Sequence, residues 1–323
     1  MDDLLSKKLI ALMSVVLLVQ CACTEKPQYE SAVFRQFKDI YEPSGVQWVP
    51  GAGVVLIEDE QELLPRLLQF NDLFIVNGAS PLFGLPVAND LEGIAASGDG
   101  VVYAITSHSI RSGGKRDISR EKLLKFTLHG GTAVVDGAAD SLRDDLIAAF
   151  PQIGVAIDAL PQDTRRFNIE SLAFHQSQPS LLIGFRSPLL DGQVIVAQLD
   201  NPAAYSNGSE PAVFAEKLIL IDLDGGGIRA MAFDETLDGY LIVTRVENSG
   251  DDNFALWLWK GGDKARQLRV KTLSNLSKLE GISPVTVNGK TKLLLVFDDG
   301  DADSNRPGHY AIADYSLIEP YNR

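Results

Sequence analysis

Cysteine is almost missing from this chain. Of 323 residues only Cys21 and Cys23 carry a thiol, two positions apart near the N-terminus. That excludes a disulfide framework in whatever folds downstream. Histidine is nearly as scarce, and His108, His129, His175 and His309 show no zinc-ligand spacing. Positive charge is in short supply: 29 Lys and Arg face 43 Asp and Glu, for a formal net charge of −14. Such a chain lacks the clustered basic surface that holds a phosphate backbone, which excludes nucleic acid as a partner. Gly-x-Ser-x-Gly does not occur, so nothing supports a hydrolase nucleophile elbow. The hydrophobic share of 45% and the charged share of 22% are those of a globular protein with a substantial core.

The N-terminus reads as an address. Lys7 and Lys8 precede an apolar run from Leu9 to Val19, eleven residues long and too short for an ordinary membrane span. The run ends in Leu18-Val19-Gln20-Cys21-Ala22-Cys23. This is similar to a bacterial lipoprotein signal, in which either Cys21 or Cys23 becomes the lipidated first residue. Residues 1–23 are then the signal, 24–30 a polar tether, 31–318 the folded domain and 319–323 a tail. The expectation is an exported protein, periplasmic or on the outer surface, whose only membrane contact is its lipid anchor.

A repeat organises the remainder. A polar or charged residue, a small residue and a short apolar run recur. The copies are Glu42-Pro43-Ser44-Gly45-Val46, Asp90-Leu91-Glu92-Gly93-Ile94, Asn168-Ile169-Glu170-Ser171-Leu172, Gly227-Ile228-Arg229-Ala230-Met231 and Lys278-Leu279-Glu280-Gly281-Ile282. Successive steps are 50, 78, 59 and 51 residues. Each copy leads into further strand-like segments rich in Val, Ile, Leu, Phe and Tyr. Second strands are expected at Gly53–Ile57, Val101–Thr106, Leu181–Phe185, Tyr240–Thr244 and Leu293–Phe297. Third strands are expected at Leu63–Phe70, Leu123–Leu128, Gln193–Leu199, Ala255–Trp259 and His309–Tyr315. Three or four strands per repeat of about 45–55 residues is the pattern of propeller blades. The fold class is therefore all-β, a single five-bladed β-propeller, with Ser31–Asp39 available to close the ring on the last blade.

The long 78-residue step contains an insertion. Ser141-Leu142-Arg143-Asp144 reads as a helix start, and Pro151 is expected to stop that helix. A sixth blade between Thr127 and Phe167 is the competing account.

In a propeller the start of each inner strand and the end of each second strand meet at one mouth of the central channel. Strand starts would bring Glu42, Glu92, Glu170, Arg229 and Glu280 there. Strand ends would bring Glu58, Asp59, His108, Arg186, Arg245, Asp298 and Asp299. So many carboxylates repel one another unless a cation intervenes. Oxygen ligands of this kind suit Ca²⁺, with Glu42, Glu92, Glu170, Glu280, Asp298 and Asp299 as candidate ligands. Arginine beside them suits a phosphate or carboxylate held bidentately. The competing account has each Glu bonding backbone groups between blades and so locking the ring. Ser107–Glu121 is the most basic stretch. Arg111, Lys115 and Arg116 make it a candidate anion-binding flap, with His108 at its base as an acid or base and Arg245 as a further binding cation. The alternating Asp299, Asp301 and Asp303 fail the EF-hand pattern, because Ser304 and Tyr310 stand where Gly and Glu are required. A non-EF oxygen site there stays open. Gly225-Gly226-Gly227 follows a strand with no helix pattern after it, so it reads as a blade connection rather than a dinucleotide fingerprint.

Ser107-His108-Ser109, Gly114-Lys115-Arg116, Asn168-Ile169-Glu170, Ile183-Gly184-Phe185-Arg186-Ser187-Pro188, Gly227-Ile228-Arg229 and Asp298-Asp299-Gly300-Asp301 occur in this order. Together they resemble an uncharacterised bacterial family of secreted or lipid-anchored β-propellers. That family is similar in layout to the phytase-like esterase and SdiA-regulated propellers. The resemblance covers roughly Glu42 to Leu317 and implies a propeller. Ser171 departs from the usual Gly, and Arg229 from the usual Glu.

Two functions are then open. One is a metal-dependent phosphoester hydrolase, phytase-like, in which Ca²⁺ polarises a phosphate held by Arg186 and Arg229. The other is a non-catalytic propeller at the cell envelope that binds a ligand or protein. The partner is an anionic small molecule or an envelope protein.

Overall fold

Strands that pack against neighbours on both faces read as nearly unbroken apolar runs, and the second strands of this chain are of that kind. Val54, Val55, Leu56 and Ile57 are fully buried, as are Leu293, Leu294, Leu295 and Val296. The computed structural model describes residues 32–59, 64–111, 114–161, 166–175, 177–246, 254–273 and 276–321. The segments expected to be the export signal and the tether, with both cysteines, lie outside the described residues.

The first described strand, β1 (Val33–Gln36), belongs to the last blade. Blade one is β2 (Pro43–Val49), β3 (Gly53–Glu58), β4 (Arg66–Phe70) and β5 (Val76–Pro81). Blade two is β6 (Leu91–Ala96), β7 (Val102–Thr106), β8 (Leu123–His129) and β9 (Thr132–Ala139). Helices α1 (Leu142–Ala149) and α2 (Pro151–Ala159) follow. Blade three is β10 (Asn168–Phe174), β11 (Leu181–Ser187), β12 (Val194–Leu199) and, after the short helix α3 (Pro202–Ser206), β13 (Ile219–Ile221). Blade four is β14 (Gly227–Asp234), β15 (Gly239–Arg245), β16 (Phe254–Trp259) and β17 (Arg266–Val270). Blade five is β18 (Leu279–Val287), β19 (Lys290–Phe297) and β20 (His309–Ala313), completed by β1. The architecture is a five-bladed β-propeller of antiparallel sheets. The hydrophobic core is divided among clusters wedged between adjacent blades; one joins Val46 and Leu56 of blade one to Val296 and Tyr310 of blade five.

The ring closes as the sequence suggests. Val33 pairs with Ile312 and Gln36 with His309, and Phe34 packs on Phe297 and His309 at centroid distances of 4.9 and 5.0 Å. Three expectations need correction. Pro151 does not merely stop a helix. It occupies the first turn of α2, where its missing N–H costs nothing. The helix pair covers the outside of blades two and three with Leu142, Leu146, Ile153 and Ile157, so no sixth blade is hidden there. Nor is the C-terminus a plain tail from residue 319. A strand β21 (Ile318–Pro320) pairs with β17, and Glu319 binds Lys271 at 3.1 Å as well as Arg269. Among the described residues no helix is long and apolar enough to cross a membrane.

Candidate functional site

In every blade the pairing of inner and second strands slips by one residue at the same place. The slip falls between Pro43 and Gly45, Leu91 and Gly93, Ile169 and Ser171, Ile228 and Ala230, and Leu279 and Gly281. A bulge inserts one extra residue and re-aims its side chain. The five bulged residues are Ser44, Glu92, Glu170, Arg229 and Glu280. Ser44, not Glu42, is therefore the blade-one counterpart of the other four. Its hydroxyl donates to the Leu91 carbonyl at 2.6 Å and so ties blade one to blade two.

The next residue in each copy is small: Gly45, Gly93, Ser171, Ala230, Gly281. A Cβ on Gly93 would lie 2.8 Å from the Leu172 nitrogen, and one on Gly281 3.2 Å from the Val46 nitrogen. Five inner strands can approach one axis only if that position carries almost no side chain. The residues after it, Val46, Ile94, Leu172, Met231 and Ile282, are buried and constrict the channel. The waist holds about 10 Å³, no more than one water.

The charged mouth is organised around Arg229. Its Nε and Nη2 donate to Glu280, each at 2.5 Å, and its Nη1 donates to Glu170 at 3.2 Å. Glu170 also accepts from Arg186 Nη1 at 3.0 Å and from Asn168 Nδ2 at 2.7 Å. The result is an alternating chain, Glu280–Arg229–Glu170–Arg186, across blades five, four and three. Arg229, Glu170 and Glu280 are buried. Burial raises the Glu170 acid above its ordinary range, while Arg229 and Arg186 pull it back. The cation that lets these carboxylates sit together is thus a side chain of the ring itself. The glutamates lock blades, as the competing account has it, but through arginine rather than backbone groups.

Beside this chain lie further carboxylates whose shifts are dominated by burial and by one another. Burial, then the charges of Asp298 and Glu42, push Asp59 up to about 8. One of its oxygens, Oδ1, is sealed from solvent without a hydrogen-bond partner. Glu92 is raised well above the ordinary range by burial, then by Glu170, Asp90 and Asp59. Asp298 is pushed up to about 7 by burial, then by Glu280. Glu42 adds to the field on Asp59 and Asp298. All four side chains keep partial exposure at the mouth.

Other candidates are elsewhere or engaged. His108 is fully buried at a positive φ of 54°. Its Nδ1 lies 2.8 Å from the Thr106 carbonyl, its Nε2 has no partner, and burial pushes it down to about 4. It is therefore a neutral imidazole enclosed by protein, not a group facing the mouth. The basic loop is neutralised locally. Arg111 pairs with Asp117 at 2.5 Å, and Arg116 bridges Glu121 and Asp144 of α1. Arg120 binds Asp90, which also receives the Ser107 hydroxyl. Lys115 is exposed on this loop, and Arg245 lies over the Phe254 ring at 5.6 Å. Asp299 turns away to bind His309 through its backbone N–H and Nδ1, both at 2.9 Å, and Asp301 caps a turn at Ser304. Asp90 was not among the expected mouth residues. It stands two residues before the bulge, aligned with Glu42, and that alignment is the signal that could have found it.

Calcium asks for several oxygens converging on one point. Glu170 and Glu280 give theirs to arginine, Asp299 gives its own to His309, and among the described residues no three His, Cys, Asp or Glu side chains are placed to hold a metal. These residues do not fit Ca²⁺ in this arrangement.

No curated protein matches the sequence. Among solved structures, the PQQ domain of a pyranose dehydrogenase from Coprinopsis cinerea is 9% identical, with 91% of this chain and 86% of that one covered and a TM-score of 0.45. A gluconolactonase from Xanthomonas campestris is 11% identical over 87% and 80%, at a TM-score of 0.41. The allergen Mala s 1 of Malassezia sympodialis is 11% identical over 85% and 80%, at 0.39. Likeness this distant says nothing of ligand or reaction. The sequence itself is more specific: residues 127–314, over half of the chain, match the family described as protein of unknown function DUF3616, and the chain belongs to that family.

Proposed function

We propose that this protein is an exported, lipid-anchored propeller of the cell envelope that binds a small ligand bearing an amine or guanidinium at its acidic mouth, without chemistry of its own. The observation that carries the reading is the surplus of carboxylate at that mouth. Arg229 and Arg186 are spent on Glu170 and Glu280, while Asp59, Glu92 and Asp298 hold their protons well above the ordinary carboxylate range and one sealed oxygen of Asp59 has no partner. A ligand with several N–H donors spread over a planar or branched cation suits separated acceptors, as Arg229 already demonstrates inside the ring. Export and anchoring rest on the Lys7–Cys23 segment. Phosphoester hydrolysis would need Arg186 and Arg229 to hold a phosphate, and both are held by carboxylates instead. It would also need a metal that these side chains do not gather.

The test is calorimetric titration of the purified protein with arginine methyl ester, spermidine and calcium chloride, at mildly acidic and mildly alkaline pH. At acidic pH Asp59 and Asp298 carry protons. A cation must displace them, so affinity should rise by at least about tenfold into the alkaline range, with protons released on binding. Asp59→Asn and Glu92→Gln should weaken that binding. Saturable calcium binding in place of the amines would restore a metal reading. The absence of any cation binding at alkaline pH would overturn the proposal.

A further inference from the structure

A second cavity lies away from the charged mouth. It is a basin of about 990 Å³ at the opposite end of the channel, within the size range of small-molecule sites. Its construction follows from the same repeat. Four residues after each bulged position the inner strands carry Trp48, Ala96, Phe174, Phe233 and Pro284. All five line the basin, and all five are half-buried rather than sealed. The constriction at Val46, Ile94, Leu172, Met231 and Ile282 closes its floor, so the basin is a blind cup separate from the acidic mouth.

Every blade thus contributes one apolar surface to a collar, and three of these surfaces are aromatic faces. Tyr103 braces one of them, with its ring edge-on to Phe174 at 5.5 Å. Above the collar the lining turns polar. Gln47, Gln178 and Thr286 lie on the wall, with the exposed carboxylates Asp99 and Glu235 at the rim. This gradation has a chemical meaning. An aliphatic or purely aromatic ligand would waste the rim, and a compact ion would waste the rings. A pyranose presents a flat C–H face to an aromatic ring while its equatorial hydroxyls project outward to amides and carboxylates. We infer that the basin at the far end of the channel is a binding site for a neutral oligosaccharide, with sugar rings packed on Trp48, Phe174 and Phe233. This site is independent of the cation site proposed above.

Tryptophan fluorescence provides a local reporter. The chain has three tryptophans; Trp257 and Trp259 are buried and only Trp48 is half-exposed, in the collar itself. Titrating the purified protein with cellotriose, maltotriose and chitotriose should give a saturable change in emission for at least one of them. Phe174→Ala and Phe233→Ala should each weaken binding about tenfold or more while leaving thermal unfolding cooperative. Trp48→Phe should abolish the optical signal yet retain calorimetric binding. Glu92→Gln, at the other mouth, should change neither, which separates failure of this proposal from failure of the cation site. No saturable change with any of the three sugars up to the solubility limit would overturn it. So would a change that survives both phenylalanine truncations, or tighter binding of an apolar dye that the sugars cannot displace.

Discussion

Replacing Arg229 with methionine removes the one cation shared by Glu170 and Glu280, and its consequence can be worked out group by group. Glu170 keeps Arg186 at 3.0 Å and Asn168 at 2.7 Å. Glu280, which is 4% exposed, loses both of its 2.5 Å bonds to the guanidinium. Breaking a buried ion pair from one side costs about 3–5 kcal/mol, because the remaining charge is stranded. For a domain of this size about 1 kcal/mol moves the melting temperature by roughly 2 °C, so a loss of roughly 5–10 °C is expected at neutral pH. A buried carboxylate left without its cation is relieved by taking up a proton that the unfolded chain would not hold at the same pH. The folded state then binds more protons than the unfolded one over an interval of pH, and stability falls as pH rises through it. The deficit of Arg229→Met should therefore be small in mild acid and grow toward alkaline pH. Arg229→Met combined with Glu280→Met removes both charges and should recover most of the loss. Urea unfolding of the three proteins across pH reads all of this directly. A cost below about 1 kcal/mol at alkaline pH, or a cost independent of pH, would refute the view that Arg229 is the keystone of the mouth.

Three further perturbations test separate parts of the ring. Asp59 is held near 8, against 3.8 as an ordinary acid, so its burial lowers stability as pH climbs between those values. Asp59→Asn should melt with the wild type in mild acid and above it in mild alkali, as read by differential scanning fluorimetry. Gly93→Val drives a side chain into the Leu172 nitrogen and the Ser171 carbonyl carbon and should cost about 1–3 kcal/mol or more in urea titrations. Deleting residues up to Gln36 removes β1, uncovers the edge of β20 and strips Phe34 from Phe297. The truncated protein should melt lower and self-associate on a sizing column.

How much of this was legible in the chain depends on which property of the repeat is considered. Blade number, the second strands and the closing strand follow from apolar runs and their spacing, because burial between blades leaves a direct trace in composition. The bulge leaves none. It is a matter of hydrogen-bond register, and its single-residue slip decides which side chain enters the mouth. A sequence reader aligns Glu42 with Glu92 because both are acids. The register aligns Ser44 with Glu92, because Gly45 and Gly93 occupy the same contact between inner strands. Pairing is hidden in the same way: nothing in the order of residues says that Arg229 will meet Glu170 and Glu280 from neighbouring blades, so their charge looked available for metal or phosphate. The apolar collar was in plain view, four residues beyond each bulge and aromatic in three of the five blades, but it emerges only when the repeat is read past its charged start.

The register yields one last test. If the bulged positions are equivalent, Ser44→Glu should place a fourth carboxylate in the ring of Glu92, Glu170 and Glu280, whose arginine partners Arg229 and Arg186 are already engaged. It would also lose the bond from Ser44 to the Leu91 carbonyl. The substitution should destabilise by about 3–5 kcal/mol at alkaline pH and much less in acid, whereas Ser44→Gln, similar in size but uncharged, should show no such dependence on pH. Equal effects of the two substitutions, or a tolerated glutamate at Ser44 at alkaline pH, would show that the fivefold equivalence does not extend to blade one.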